Sequence, residues 1–333
     1  MLYRSKIVGM GMYLPENVVT NHDLEQLMDT SDAWIVERTG IRERRFFTEG
    51  KDTTATMAAE ASRMALDRAG LKAQEIDAIV FATLSPDYYF PGSGVLLMRE
   101  LGIVGIPAFD LRQQCAGFVY ALSLADAYIR LGHYKNVLIA CSEIQSNLLE
   151  LSTRGRNMAV IFGDGAAAVV LTRHQQEGLG VISTHLHADG TYAEELYMAH
   201  PGCRRKVRIT PQMLEDGSML PYMNGNAVFK HAIVRFMEVI YEALEANGLQ
   251  VEDLDMVIPH QANLRISKYI QEQLQLPDEK MYNNIQWVGN TTAASIPLAM
   301  CEAWEKGLLR PGMLVCTPAF GSGFVWGSAL IRM

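Results

Sequence analysis

This 333-residue chain repeats itself, and the repeat constrains its fold more than any other feature. The stretch Ala65-Leu66-x3-Gly70-Leu71-x3-Glu75-Ile76-Asp77-x-Ile79-Val80 returns as Ala243-Leu244-x3-Gly248-Leu249-x3-Asp253-Leu254-Asp255-x-Val257-Ile258, at an offset of 178. Each copy reads as an amphipathic helix ending at a glycine suited to a left-handed cap, then an acidic loop, then a buried strand. Two further matches follow the same order. Val137-Leu138-Ile139-Ala140 pairs with Met313-Leu314-Val315-Cys316 at offset 176, and Phe162-Gly163-Asp164-Gly165 with Phe320-Gly321-Ser322-Gly323 at offset 158. Duplication predicts an α/β protein of two similar halves, 1–175 and 176–333, stacked as five layers of helices and sheets about a pseudo-two-fold axis. No Pro- or Ser-rich linker separates the halves, so one body is expected. A site belongs at the carboxyl ends of the strands, where both halves can contribute.

Composition narrows the functional classes. A net charge of −8 argues against nucleic acid as the main partner. No apolar run reaches the 18 or so residues of a membrane span, so no membrane partner is expected. The N-terminus, Met1 to Met10, reads as an opening strand rather than a signal peptide. The five cysteines, Cys115, Cys141, Cys203, Cys301 and Cys316, are scattered and form no Cys-x-x-Cys pair. That pattern fits a reducing cytoplasm better than a disulfide framework or a zinc site.

Three residues stand where chemistry is possible. Cys115 ends an extended run and opens a helix, where the helix dipole and unpaired N–H groups favour a thiolate. The alternative is a small buried packing residue, the reading that suits Cys141, Cys301 and Cys316. Cys203, before Arg204-Arg205-Lys206, falls in a loop. His260 directly follows the repeated strand, at its carboxyl end; it could equally be a structural histidine. Asn290 lies 175 residues after Cys115, which makes it the candidate counterpart of the cysteine in the second half, or simply a helix N-cap. Together Cys115, His260 and Asn290 suit a thioester nucleophile with two hydrogen-bond donors for a developing oxyanion. The turn Gly321-Ser322-Gly323 could add a backbone N–H, or be a plain tight turn. Phosphate-binding, dinucleotide-binding, His-Glu-x-x-His and Gly-x-Ser-x-Gly motifs are absent from the sequence.

With these residues assembled, the chain resembles the β-ketoacyl-acyl-carrier-protein synthase III family along nearly its whole length. The resemblance rests on Ser31-Asp-Ala-Trp34-Ile-Val-Glu-Arg38 through Arg44, Cys115-Ala-Gly-Phe-Val-Tyr-Ala-Leu122 and Phe162-Gly-Asp-Gly165. It continues through His260-Gln-Ala-Asn263-Leu-Arg265, Gly289-Asn290 to Pro297, and Phe320-Gly-Ser-Gly-Phe-Val-Trp-Gly327. It implies a thiolase-like fold, a homodimer, and no metal or redox cofactor. It also implies acyl transfer from acyl-CoA to Cys115, decarboxylation of malonyl-acyl-carrier protein at His260 and Asn290, and an oxyanion hole from the N–H groups of Cys115 and Ser322. Trp34, Arg38, Arg154, Gly225 and Asn263 match the coenzyme A entrance. Lys230 and Arg265, with Lys268 beyond them, match carrier-protein docking positions, and Phe90 matches an aromatic that bounds the acyl pocket across the dimer.

Some positions depart from the family pattern. Gly92-Ser93-Gly94 follows Phe90-Pro91, Ser322 replaces a common glycine, and Glu272-Gln273 dilute the basic docking helix. The run Ser152 to Asn157 looks closer to synthases that prime longer or aromatic acyl-CoAs in secondary pathways, which is the alternative starter reading. A silent thioester-binding subunit would lack one of the three residues, and all three are present.

Overall fold

The computed structural model describes residues 3–333; the first two residues of the expected opening strand lie outside that range. The first five-stranded sheet runs Arg4–Tyr13, Gly165–His174, Asn136–Glu143, Ala78–Ala82, Ala108–Leu111. The second runs Gly180–Ala188, Val325–Arg332, Leu314–Cys316, Met256–Val257, and Met281 bridges Val257 in parallel where Ala108 pairs Ile79 in the first. In each sheet the outer antiparallel pair carries one extra residue at the same place. Val8 bulges beside the Ile7/Leu171 pair and Ile182 beside the Val181/Ile331 pair.

The shared sequence makes the same local structure twice. Gly70 and Gly248 both sit at φ +65°, where a side chain is disfavoured. The acids that follow have a job: Asp77 Oδ2 accepts the N–H groups of Lys135 and Asn136, and Asp255 Oδ2 that of Leu314. Each carboxylate thus satisfies the exposed start of the neighbouring strand.

Cross-strand pairing also corrects the alignment of the other two matches. Ala78 opposes Val137 as Met256 opposes Val315, so this strand too is offset by 178, not 176. Continuing in that register, Glu143 opposes Gly165 as Gly321 opposes Val325. The counterpart of Phe320-Gly321 is therefore Ser142-Glu143, and the likeness to Phe162-Gly163-Asp164-Gly165 is coincidental. Pro318, with no N–H to give the ladder, divides this second-half strand into Leu314–Cys316 and Ala319–Gly321.

Alternation along the strands builds the five layers. Ala78, Val80 and Ala82 face the central core with helices Gly117–Arg130 and Ser295–Glu305, while Ile79 and Phe81 face the outer helix Thr54–Ala69. In the second sheet Val315 and Ile331 face the centre, and Leu314, Cys316 and Leu330 face the outer helices Gly225–Ala246 and Leu264–Gln273. The central helices start almost in contact: a Cβ on Gly117 would lie 2.9 Å from that of Ala293. Between the first strand and the first outer helix, an antiparallel strand pair (Asn17–Thr20, Glu43–Phe46) and the helix Asp32–Thr39 between its strands form a separate lobe. Fully buried Arg44 donates to Asn21 Oδ1 at 2.8 Å within the lobe and ties it to the body by donating to Val160 O at 2.9 Å.

Candidate active site

Cys115, His260 and Asn290 line one cavity of about 170 Å³ where the two sheets end. Each arrives by a different route. Cys115 lies in the 3-10 turn Gln114–Ala116 that leads into Gly117–Arg130, and Gln114 before it holds φ +42°. The second half repeats the turn as Thr292–Ala294 before Ser295–Glu305, with Thr292 at φ +47°. A positive φ at a non-glycine residue is uncommon, and at a β-branched one it is an outlier. Its recurrence fixes the equivalence: the counterpart of Cys115 is Ala293. Asn290 is not the symmetry mate that the sequence suggests. Seven positions separate Ala108 from Cys115 but twelve separate Met281 from Ala293, and Asn290 sits in that longer connection.

Nor is Asn290 a helix cap. Its backbone forms a bridge to Phe162, with its N–H on Ile161 O (2.9 Å) and its carbonyl accepting from Gly163 (3.1 Å). Its Oδ1 accepts the N–H of Thr292 at 2.8 Å, which fixes the amide orientation and leaves the NH2 as a donor. In the motif that precedes this bridge partner's strand, Asp164 is buried and accepts from the N–H groups of Phe47, Gln145 and Ser146.

His260 is 2 % exposed, and its Nδ1 lies 2.7 Å from Ser295 Oγ. Ser295 Oγ also lies 3.4 Å from the N–H of Gln261, which it can only accept. Its own proton is then free for Nδ1, which assigns the ring hydrogen to Nε2 as the tautomer that leaves a donor for the cavity. Burial pushes the imidazole down to about 3, so it is neutral across the physiological range.

The cysteine differs from the expectation of an activated thiol. Burial first, and then the charge of Glu143, push Cys115 up to about 12, against a smaller opposing pull from its own N–H. Desolvation outweighs the helix terminus in the closed cavity. From the glycine turn, Gly321 forms cavity wall; a methyl there would lie 2.9 Å from Cys115 N and 3.1 Å from its Cβ. Ser322 is accommodated by turning its hydroxyl onto the carbonyl of Leu196, and Gly323 takes φ +136°.

The remaining candidates divide. Gly225 and Asn263 share the cavity wall with Cys115. Asn263 caps the helix Leu264–Gln273 through Oδ1 and donates Nδ2 to Arg38 O at 2.9 Å, joining this helix to the lobe. Trp34 carries Arg38 over its ring at 4.4 Å and Arg156 at 5.0 Å. Arg154 is elsewhere engaged: its Nε donates to Glu150 at 2.8 Å and its NH1 to Glu215 O. Lys230, Arg265 and Lys268 are exposed on two adjacent helices, with Arg265 over Phe229 at 5.7 Å. Phe90 is apart from the cavity, at the surface with Tyr88 and Tyr89. Cys203 is exposed, 3.0 Å from Tyr89 Oη.

The family described as 3-oxoacyl-[acyl-carrier-protein (ACP)] synthase III matches residues 109–190, and its C-terminal region matches 244–333. β-Ketoacyl-[acyl-carrier-protein] synthase III of Escherichia coli is 44% identical, covering 98% of this chain and 99% of its own. That of Xanthomonas campestris is 45% identical, with 98% of each chain covered. The chain belongs to the 3-oxoacyl-[acyl-carrier-protein] synthase III family. Among solved structures, the Aquifex aeolicus synthase III superposes with a TM-score of 0.90 at 41% identity, over 99% of this chain and 100% of that one. The priming β-ketosynthase of the R1128 polyketide pathway gives 0.89 at 33%, over 99% and 97%. The fold is thus thiolase-like, as the resemblance implies, and the chain is an acyl-transferring condensing enzyme.

In this synthase III chain, three residues escaped the sequence reading: Arg156 at Trp34, Ser295 behind His260, and Glu143 beside the thiol. The raised thiol has a direct consequence. An acid whose pKa lies above the working range gains anion tenfold per pH unit, so alkylation of Cys115 by iodoacetamide should climb about tenfold per unit from roughly pH 6 to 9. A plateau near neutrality, read by peptide mass mapping, would mean that the thiolate already exists at rest.

Proposed function

We propose that this enzyme opens fatty-acid synthesis by joining an acyl-CoA starter to malonyl-acyl-carrier protein through an acyl-Cys115 intermediate. The observation that carries this reading is the convergence of Cys115, His260 and Asn290 on one narrow, mainly apolar cavity between the halves. The N-terminal half, 1–175, supplies the nucleophile; the C-terminal half, 176–333, supplies the two donors.

Cys115 Sγ attacks the acyl-CoA carbonyl, its proton leaves with the coenzyme A thiolate, and the acyl group stays on sulfur. The tetrahedral oxyanion is held by the N–H groups of Cys115 and Ser322, in space that side-chain-free Gly321 leaves open. Malonyl thioester then loses CO2, and the electron pair left behind becomes an enolate. His260 Nε2–H and the Asn290 NH2 donate to that enolate oxygen. The carbanion attacks the acyl carbon, expels Cys115 thiolate and yields the 3-oxoacyl thioester. This sequence balances without a metal or redox cofactor, and we assign none.

Coenzyme A enters by way of Trp34, Arg38, Gly225 and Asn263. Arg156 is the better placed partner for the adenine end, and Arg154 acts through Glu150 and the 215–217 turn. Lys230, Arg265 and Lys268 offer an acidic carrier protein a positive face. A homodimer is supported by exposed Phe90, Tyr88 and Tyr89 and by the unpaired edge of Ala108–Leu111, and would let Phe90 bound the partner's acyl pocket. The five free cysteines support a cytoplasmic setting, and no helix among the described residues is long and apolar enough to cross a membrane.

The test is intact-mass spectrometry after incubation with acetyl-, branched short-chain, octanoyl- and aromatic acyl-CoAs, with Cys115→Ala as control. Labelling by short chains supports fatty-acid priming; labelling by long or aromatic chains alone selects the specialised starter reading. No label on Cys115 overturns both. A finer prediction concerns Ser295→Ala. Loss of a single hydrogen bond of about 1 kcal/mol that fixes the imidazole should slow malonyl-CoA decarboxylation roughly fivefold and spare acyl transfer. Equal loss in both steps, measured separately, would mean that the hydroxyl serves folding only.

A further inference from the structure

Duplication creates a second cradle beside the catalytic one. Around the first lie Cys115 and, close against its N–H, Gly321. In the register set by strand pairing, their counterparts are Ala293 and Glu143. The second cradle therefore has no nucleophile, and a carboxylate stands where the first leaves space. The N–H of Ala293 points to Glu143 Oε1 at 3.4 Å, crossing from one half to the other.

Glu143 is fully buried, and its surroundings are donors. Ser85 Oγ lies 2.7 Å from Oε2 and already accepts the N–H of Ile144; Thr83 Oγ1 lies 3.2 Å away and already accepts that of Ser85. Both hydroxyl protons are thus directed at the carboxylate. The N–H of Leu84 adds a bond at 3.2 Å and the amide of Gln145 another at 3.1 Å. The two backbone N–H groups cannot accept a proton from a neutral Glu143, and the two hydroxyls and the Gln145 amide donate to it, so the arrangement suits the anion. Burial pulls the other way and raises the carboxyl, with Ser85, Leu84 and Ala293 opposing it.

The turn that Glu143 holds is the one the second half's chemistry depends on. Strained Thr292 donates its N–H to Asn290 Oδ1, and Ser295, three residues on, contacts His260 Nδ1. A backbone conformation of this kind persists only where its surroundings fix it. We propose that Glu143 is a positioning residue: its carboxylate fills the silent counterpart of the oxyanion cradle and fixes the 292–295 turn, so that it governs decarboxylation and not acyl transfer to Cys115. This rests on the proposed function for its two half-reactions, and it adds a residue to which that reading gives no part.

The test uses the full-length enzyme. Glu143→Gln keeps the size but removes the charge and one of the two acceptor oxygens that these donors share. Malonyl-CoA decarboxylation should fall about 10- to 100-fold through misplacement of Asn290 and His260, while acyl labelling of Cys115 stays within about twofold. The same variant separates electrostatics from folding. The charge that acts on the thiol is Glu143, and His260 beside it in the cavity is neutral, so removing the one charge should move the iodoacetamide curve to lower pH. Glu143→Asp keeps the charge but draws back from Ala293, and should lose decarboxylation with the curve unmoved. Should the glutamine variant fail to fold, Ser85→Ala carries the same comparison of half-reactions. Equal losses in both steps, or wild-type decarboxylation, overturn the inference. The alkylation arm needs no substrate, so an unshifted curve counts against Glu143 even where acyl-CoA labelling fails and the functional reading falls with it.

Discussion

Cys115→Ala enzyme incubated with a starter acyl-CoA is expected to gain no acyl mass and to form no 3-oxoacyl product, a loss of roughly 10⁴-fold or more in condensation. The expectation is strong because no second thiol can stand in. Cys141 and Cys316 lie inside strands, Cys301 inside a central helix, and Cys203 on the surface. Cys115 alone among them lines the cavity. The substitution removes one sulfur at a site already 8 % exposed and adjoining space, so the fold should survive. Malonyl-CoA decarboxylation should persist in this variant, because both donors come from the second half and neither is hydrogen-bonded to the thiol. Acyl label on any other residue, found by peptide mapping with turnover retained, would falsify the assignment of the nucleophile.

Much of this architecture can be read from the sequence, and the limits of that reading have physical causes. The helix–glycine–acid–strand unit aligns correctly because each element has a specific job: a left-handed cap at Gly70 and Gly248, and a carboxylate at Asp77 and Asp255 that satisfies a neighbouring strand. The strand Val137–Ala140 is misaligned by two because a slip of two preserves which residues face inward, and apolar strand residues are interchangeable to the eye. The Phe-Gly-x-Gly likeness arises from two unrelated needs for close approach. Asn290 matches Cys115 in spacing and in standing before a helix, and a longer connection in the second half defeats that count. Glu143 gave no signal at all. A lone glutamate at a strand's end looks like surface charge, and apart from Gln145 its partners lie 58 to 150 residues away in sequence. Arg154 and Arg156 are two positions apart, and contacts mostly distant in sequence separate them: Glu150 and Glu215 O hold Arg154, while Arg156 donates to Asp29 O and lies over Trp34.

His260→Ala should reduce malonyl-CoA decarboxylation by about 10²–10³-fold, the usual cost of one preorganised oxyanion donor, with transfer of the acyl group to Cys115 nearly intact. The direction follows from its protonation state. A group held near 3 by burial stays neutral well below neutral pH, so it serves as a fixed N–H donor and not as an acid that titrates during turnover. The decarboxylation rate of the wild type should accordingly be level from roughly pH 5 to 8, with no inflection near the ordinary histidine value of about 6.5. His260→Gln can place an amide donor in the same region and should recover part of the loss; alanine cannot. The linked stability term has a defined sign. Because the folded pKa is depressed while the unfolded chain titrates near 6.5, the unfolded state binds the extra proton first. Neutral His260 therefore costs nothing above that value, and the protein loses stability as pH falls from 6.5 toward 3. Removing the imidazole should make acid unfolding less steep in that window. An inflection in decarboxylation near 6.5 that disappears with His260→Ala would show that the histidine titrates in the working enzyme, and would replace the fixed-donor role with general acid–base catalysis.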